Sequence, residues 1–286
     1  MPICWPLKIK SPTMQLNNKT IFISGGSRGI GAAIALKLAV AGANVAIAAK
    51  SVVEDPRLGG TIYSVAEAIE KVGGKALPIL CDIRDEVAIR DAVEKTAATF
   101  NGIDVLINNA SAIYLNPTET LSAKQFDLMH DINIRGTFLV GKACLPYLKK
   151  SEAGHILTLS PPINLNPKWL GKHSAYTIAK YGMTMLALGW AEELEGYNVA
   201  SNTLWPKTTI DTAAVRNLLG GEVLAHKSRT PDIMADAAFA ILSKENKEYN
   251  GLTLIDEEVL RKEGLTDFSS YSVVPGTDLY TDLFLD

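Results

Sequence analysis

Cysteine is scarce in this chain. The three present, Cys4, Cys81 and Cys144, are an odd, scattered set with no C-x-x-C pair. That excludes a disulfide framework or a cysteine-rich zinc site and favours a reducing, cytoplasmic setting. Histidine is nearly as rare, and His130, His155, His173 and His226 show no metal-ligating spacing, so no metal is expected. No stretch approaches the roughly 18 uninterrupted apolar residues of a membrane span. Neither sign of charge dominates: 28 basic against 31 acidic residues leave a net charge of −3. This argues against general binding of nucleic acid or anionic membrane, while leaving room for a local basic site for one phosphate. Internal repeats and low-complexity tracts are absent. The serine at 160 does not sit in a G-x-S-x-G elbow, which argues against an acyl hydrolase.

What is present is ample apolar material, 47% of 286 residues, enough for a large core without staples. It is arranged as strand, helix, strand, helix. Short β-rich runs fall at Thr20–Ser24, Asn44–Ala49, Ala76–Leu80, Ile103–Ile107, His155–Leu159, Val199–Leu204 and Leu252–Ile255. Between them lie helical patterns: Ala32–Ala41 is almost wholly apolar, and Ile62–Val72 places its apolar residues on one face. Such alternation predicts an α/β fold, a doubly wound parallel sheet of Rossmann type. A single domain over residues 14–256 is expected, with short extensions at both ends. Residues 1–13 read as a frayed extension, with Met14 an alternative start and organelle targeting an alternative role. Residues 257–286, polar with scattered aromatics, are expected to pack on the domain or on a neighbouring subunit. Two segments break the rhythm: a long loop at Ser51–Gly60, and Pro206–Thr230, read as a substrate lid or, more plainly, as a surface excursion.

The segment SGGSRGIG, Ser24 to Gly31, follows the first strand and opens the first helix. Its glycines suit a tight turn and a close approach of backbone to phosphate, and the helix N-terminus offers free N–H groups to a pyrophosphate. Gly25, Gly26, Ser27, Arg28, Gly29, Ile30 and Gly31 are therefore candidate cofactor contacts. At the end of the second strand, where an acidic residue would bind the adenosine ribose of NAD, stands Lys50. With Arg28 it makes two cations suited to the extra phosphate of NADP(H), unless both are simply solvated.

Tyr176 and Lys180 lie four apart in a helical pattern running to about Glu195, which places them on one face. An unperturbed phenol titrates near 10, and a nearby ammonium would lower it. Alone the pair is common; after a phosphate loop it points to acid/base chemistry.

These motifs together resemble the short-chain dehydrogenase/reductases over nearly all of residues 14–256. The closer likeness is to the dehydrogenase domain of the hydroxysteroid dehydrogenase-like group, whose animal members carry a C-terminal sterol-carrier domain. SPPINLNP (160–167), HSAYTIAKYGM (173–183) and LWPKTTIDTAA (204–214) carry that likeness. The resemblance implies catalytic roles for Tyr176 and Lys180, a water-holding role for Asn133, and cofactor contacts from Asp82, Ile83, Asn109, Ala110, Tyr176, Lys180 (which would hold the nicotinamide ribose), Pro206 and Thr209. It also implies a family serine that polarises the substrate oxygen. Here the residue thirteen before Tyr176 is Ile163, and strand-end register puts Pro161 in the usual place. Ser160 is the nearest hydroxyl and Asn164 a second donor. The expected activity is NADP(H)-dependent hydride transfer between nicotinamide and a small-molecule alcohol or ketone, lipid- or steroid-like among the options. The alternative is a weak or inactive NADP-binding scaffold. A homodimer or homotetramer is expected through the helices near Gly136–Lys150 and Ser174–Glu195. Trp169 and Trp205 either wall an apolar substrate pocket or pack the core.

Overall fold

Runs of Ile, Val, Leu and Ala become seven strands: β1 (Thr20–Ser24), β2 (Asn44–Ala49), β3 (Lys75–Leu80), β4 (Val105–Asn108), β5 (Gly154–Thr158), β6 (Val199–Trp205) and β7 (Thr253–Ile255). The computed structural model describes residues 16–245 and 248–286; the frayed extension expected over 1–13 lies outside them. The strands form one parallel sheet in the order β3-β2-β1-β4-β5-β6-β7. The order reverses between β1 and β4, and ligands of such sheets bind at the carboxyl ends beside that reversal.

Two layers of helix cover the sheet. In chain order they are α1 (Gly29–Val40), α2 (Ile62–Lys71), α3 (Glu86–Phe100), α4 (Ala123–His130), α5 (Thr137–Leu148), α6 (Pro167–Gly171), α7 (Ser174–Glu193), α8 (Gly221–His226), α9 (Asp232–Leu242) and α10 (Asp256–Lys262). The period-2 alternation of a strand is visible in β1. Ile21 and Ile23 enter a core with Leu38 of α1, Ile69 of α2 and Ile241 of α9. Phe22 faces the opposite way, into a core with Val93 of α3, Val140 of α5 and Trp190 of α7. The first helix starts at Gly29, ahead of the expected Ala32, because the glycine turn itself supplies its first residues. Likewise β4 runs to Asn108, since that residue still pairs with Ser24 and Thr158.

Between α4 and α5 the chain winds wider, as a π-helix at Asp131–Gly136. Pro206–Thr230 holds short helical pieces, a π-turn at Val215–Leu219 and then α8. The segment beyond α10 runs back over its own domain. Ser272 bridges to Arg229 and Thr281 to Thr208, and the Asp282 amide donates to Lys207 O at 3.1 Å.

Candidate active site

The glycine loop shows why its residues are small. Gly25 has φ +69, and a Cβ there would stand 2.8 Å from Ala110 Cα. At Gly31 a Cβ would lie 2.7 Å from Gly25 O, and Asn109 Nδ2 closes the same space by donating to Gly25 O at 2.9 Å. The loop and the Asn109–Ala110 turn are thus clamped together across the switch point. Arg28, the N-cap of α1, makes no side-chain cap, leaving the first amides of a twelve-residue helix open to an anion.

These amides border a cavity of about 750 Å³ lined by Gly25, Ser27, Arg28, Gly29, Ile30, Lys50, Asp82, Ile83, Asn109 and Ala110, among others. Its size and its helix terminus fit a dinucleotide. Lys50 is exposed at the rim and has no ion-pair partner among the described residues. Arg28 is otherwise employed: its guanidinium donates to Gly59 O (2.8 Å), Ser51 Oγ (2.8 Å) and Gly60 O (3.2 Å). The long 51–60 loop is therefore folded onto the phosphate loop. Asp82 accepts hydrogen bonds from Arg84, which hold its carboxyl below the ordinary range against desolvation. Gly26, Gly31, Pro206 and Thr209 do not line the cavity, nor do Tyr176 and Lys180. Gly26 and Gly31 are held to small size by packing behind the loop, and the Thr209 and Ser228 hydroxyls bond each other at 2.8 Å.

Tyr176 and Lys180 stand on α7, both buried. Lys180 Nζ donates to Leu159 O at 2.6 Å. Burial pushes its ammonium down to about 7, against the opposing pull of the Asp282 carboxylate. The Tyr176 phenol moves upward, from burial first and then from the charge of Asp282. The expectation of a phenol lowered by its lysine is thus reversed: the ammonium points to a backbone carbonyl, and desolvation decides. Asn133, inside the π-turn, is wholly buried. Its Oδ1 accepts from Ala112 N (2.8 Å) and its Nδ2 donates to Ala112 O (3.0 Å), so it ties the β4 loop to the helix.

The two stand-ins for the family serine are committed elsewhere. The Ser160 hydroxyl is fully buried and hydrogen-bonded with Thr184 at 3.0 Å. Asn164 Nδ2 donates to Phe284 O (3.1 Å) and Asp286 Oδ2 (3.0 Å).

The family model for short chain dehydrogenase matches residues 19–221. The chain belongs to this family. Hydroxysteroid dehydrogenase-like protein 2 of Xenopus tropicalis is 58% identical over 274 residues, 96% of this chain. The chain spans only 65% of that relative's length. A putative dehydrogenase from Xanthomonas campestris superposes with TM-score 0.92 at 53% identity, covering 95% of this chain and 99% of its own. A short-chain dehydrogenase from Burkholderia cenocepacia in complex with NADP superposes at 0.70 with 27% identity, covering 84% and 96%.

Two contributors to the site escape a reading of the sequence. Asn217, in the 206–230 segment, donates to Arg57 O at 2.8 Å, tying that segment to the 51–60 loop. Asp282, half-buried as a residue but with its carboxyl enclosed, is raised to about 7 by burial, with the Lys180 ammonium pulling the other way. Nothing in its local sequence marks it, because its partners lie about a hundred residues away.

Proposed function

We propose that this chain is an NADP(H)-dependent oxidoreductase that moves a hydride between nicotinamide and a carbonyl or secondary alcohol, and that it acts as a cytoplasmic homo-oligomer. The observation that carries the reading is the pairing, in one family member, of an uncapped helix N-terminus over a dinucleotide-sized cavity with a buried tyrosine and lysine one helical turn apart. Lys50, free at the rim, supports NADP(H) over NAD(H). So does the NADP held by the Burkholderia cenocepacia relative.

Bound NADPH supplies the hydride. Tyr176 gives its hydroxyl proton to the carbonyl oxygen, so the carbonyl becomes an alcohol and the phenol a phenolate that is reprotonated from solvent. A phenol pushed upward by burial keeps its proton at neutral pH, which suits the reducing direction. Lys180 holds the nicotinamide ribose, and Asn133 fixes the loop at Ala112 beside the cofactor.

Tyr176→Phe tests this. Turnover of a carbonyl panel, followed by NADPH absorbance, should fall by roughly 10²–10⁴-fold while NADPH binding stays within about twofold of wild type. Full activity in that variant would end the mechanism. The engagement of Ser160 by Thr184 favours a second reading, an NADP-binding scaffold without turnover; stoichiometric NADPH binding with no reaction across the panel would select it.

A further inference from the structure

The segment Leu283–Asp286 is folded over the proposed catalytic tyrosine. The Phe284 ring is stacked with Tyr176 at 6.1 Å between centroids and 28° between planes. Trp169, His173, Tyr181 and Trp205 complete a ring of aromatics around it, at 5.2–6.4 Å. It is 1% exposed. Phe284 also has φ +71, a conformation unfavourable for a bulky residue and kept only where the surroundings enforce it.

The surroundings do so from the rim. Trp205 Nε1 donates to Leu283 O (3.0 Å), Asn164 to Phe284 O, and Lys168 pairs with Asp286 at 2.5 Å. Behind this tip the chain is anchored separately, by Thr209 N to Tyr280 O (2.9 Å) and by Asp282 N to Lys207 O. The tip can therefore leave while Tyr280–Asp282 stay. One buried polar atom of the cage needs a partner that the tip does not give: among the described residues His173 Nε2 makes no hydrogen bond.

We propose that this aromatic cage is the substrate subsite, made for a ketone or alcohol bearing an aryl or compact alkyl group, and that Phe284 is a built-in competitor which such a substrate displaces. The proposal rests on Tyr176 being the acid/base. A site closed in most molecules shows a weakened apparent affinity, by the fraction that is open. Removing the plug strengthens it.

The probe is 4-phenyl-2-butanone, whose benzyl group matches the Phe284 side chain. Hydrogen exchange is read by mass spectrometry over residues 279–286 of the full chain with NADPH, with and without the ketone. Exchange at 283–286 should rise several-fold with ketone; unchanged exchange at the highest soluble concentration overturns the proposal. In Phe284→Ala the KM for the ketone should fall about tenfold, with kcat and NADPH affinity within about twofold of wild type. A KM that is unchanged or higher makes Phe284 a wall of the site and overturns the proposal. If Phe284→Ala loses NADPH binding through misfolding, Asp286→Ala takes its place, cutting the exposed pair with Lys168 and the hydrogen bond from Asn164, and its KM should fall about twofold. If no variant turns the ketone over, the hydride-transfer reading fails by itself, and the exchange measurement still decides whether the cage takes the ligand.

Discussion

Ser160 is the residue at which likeness and geometry part. Sequence register makes it the nearest hydroxyl to the family's polarising serine, yet it lies in the core with Thr184. Thr184 Oγ1 also donates to Pro161 O at 2.7 Å, so deleting the Ser160 hydroxyl strands no partner. Ser160→Ala should therefore cost about 1 kcal/mol of stability, read as a small fall in Tm, with kcat within about threefold of wild type. A loss on the order of 10²-fold in kcat would instead give Ser160 the oxyanion role. Asp282 is the opposite case, silent in sequence and central in structure. Its carboxylate raises both the Tyr176 phenol and the Lys180 ammonium. Carbonyl reduction needs both protonated, so activity falls as pH rises through those values. Asp282→Asn removes the charge, both values drop, and the alkaline limb of kcat/KM should move to lower pH by on the order of one unit. The free enzyme, with Asp282 in place beside Lys180, is what kcat/KM reports. An unmoved limb would uncouple Asp282 from the pair.

Elements with strong local grammar were the ones legible beforehand. Strands β1 and β2 fall on the expected residues because both faces of a parallel sheet are covered, so unbroken apolar runs mark their ends. The glycine turn was legible because positive φ and close backbone approach leave no other residue a place at Gly25. What stayed hidden depends on distant partners. Arg28 reads as a phosphate ligand from its place in the loop, whereas its donors close the 51–60 loop. This gives a test that separates the two cations. Arg28→Ala should loosen that loop and weaken NADPH and NADH alike, several-fold, leaving their ratio within about twofold. Lys50→Asp should instead change the ratio, since each charge-assisted contact contributes about 1.5–3 kcal/mol, roughly tenfold or more, and NAD should move ahead. Fluorescence titration of both cofactors reads this; a ratio shifted equally by the two variants would return Arg28 to the phosphate.

At the scale of the molecule, one chain carries the whole candidate site: phosphate loop, tyrosine helix and the 283–286 tip all meet within it. Association is thus a matter of surface. Met183, Met185, Leu186 and Leu188 are apolar residues of α7, one of the helices expected to pair subunits, and each faces either a partner or its own sheet. The structure divides them: Met183 is fully buried, while Met185 is 61% exposed. Ile178, seven residues earlier and so on the same face of α7, is 54% exposed, and Phe138 on α5 is 45% exposed. Exposed apolar side chains of this kind on α5 and α7 suit a two-fold pairing in which the same surface of each copy meets the other. Sedimentation equilibrium at micromolar concentration should give at least twice the chain mass of 30.8 kDa. Met185→Asp places a charge in the middle of that face and should shift the mass toward 30.8 kDa, because desolvating an unpaired carboxylate outweighs the packing it replaces. NADPH affinity should survive the change, since Met185 is 61% exposed and does not line the cofactor cavity. A wild-type protein that sediments as one chain at these concentrations would leave the apolar face without that role.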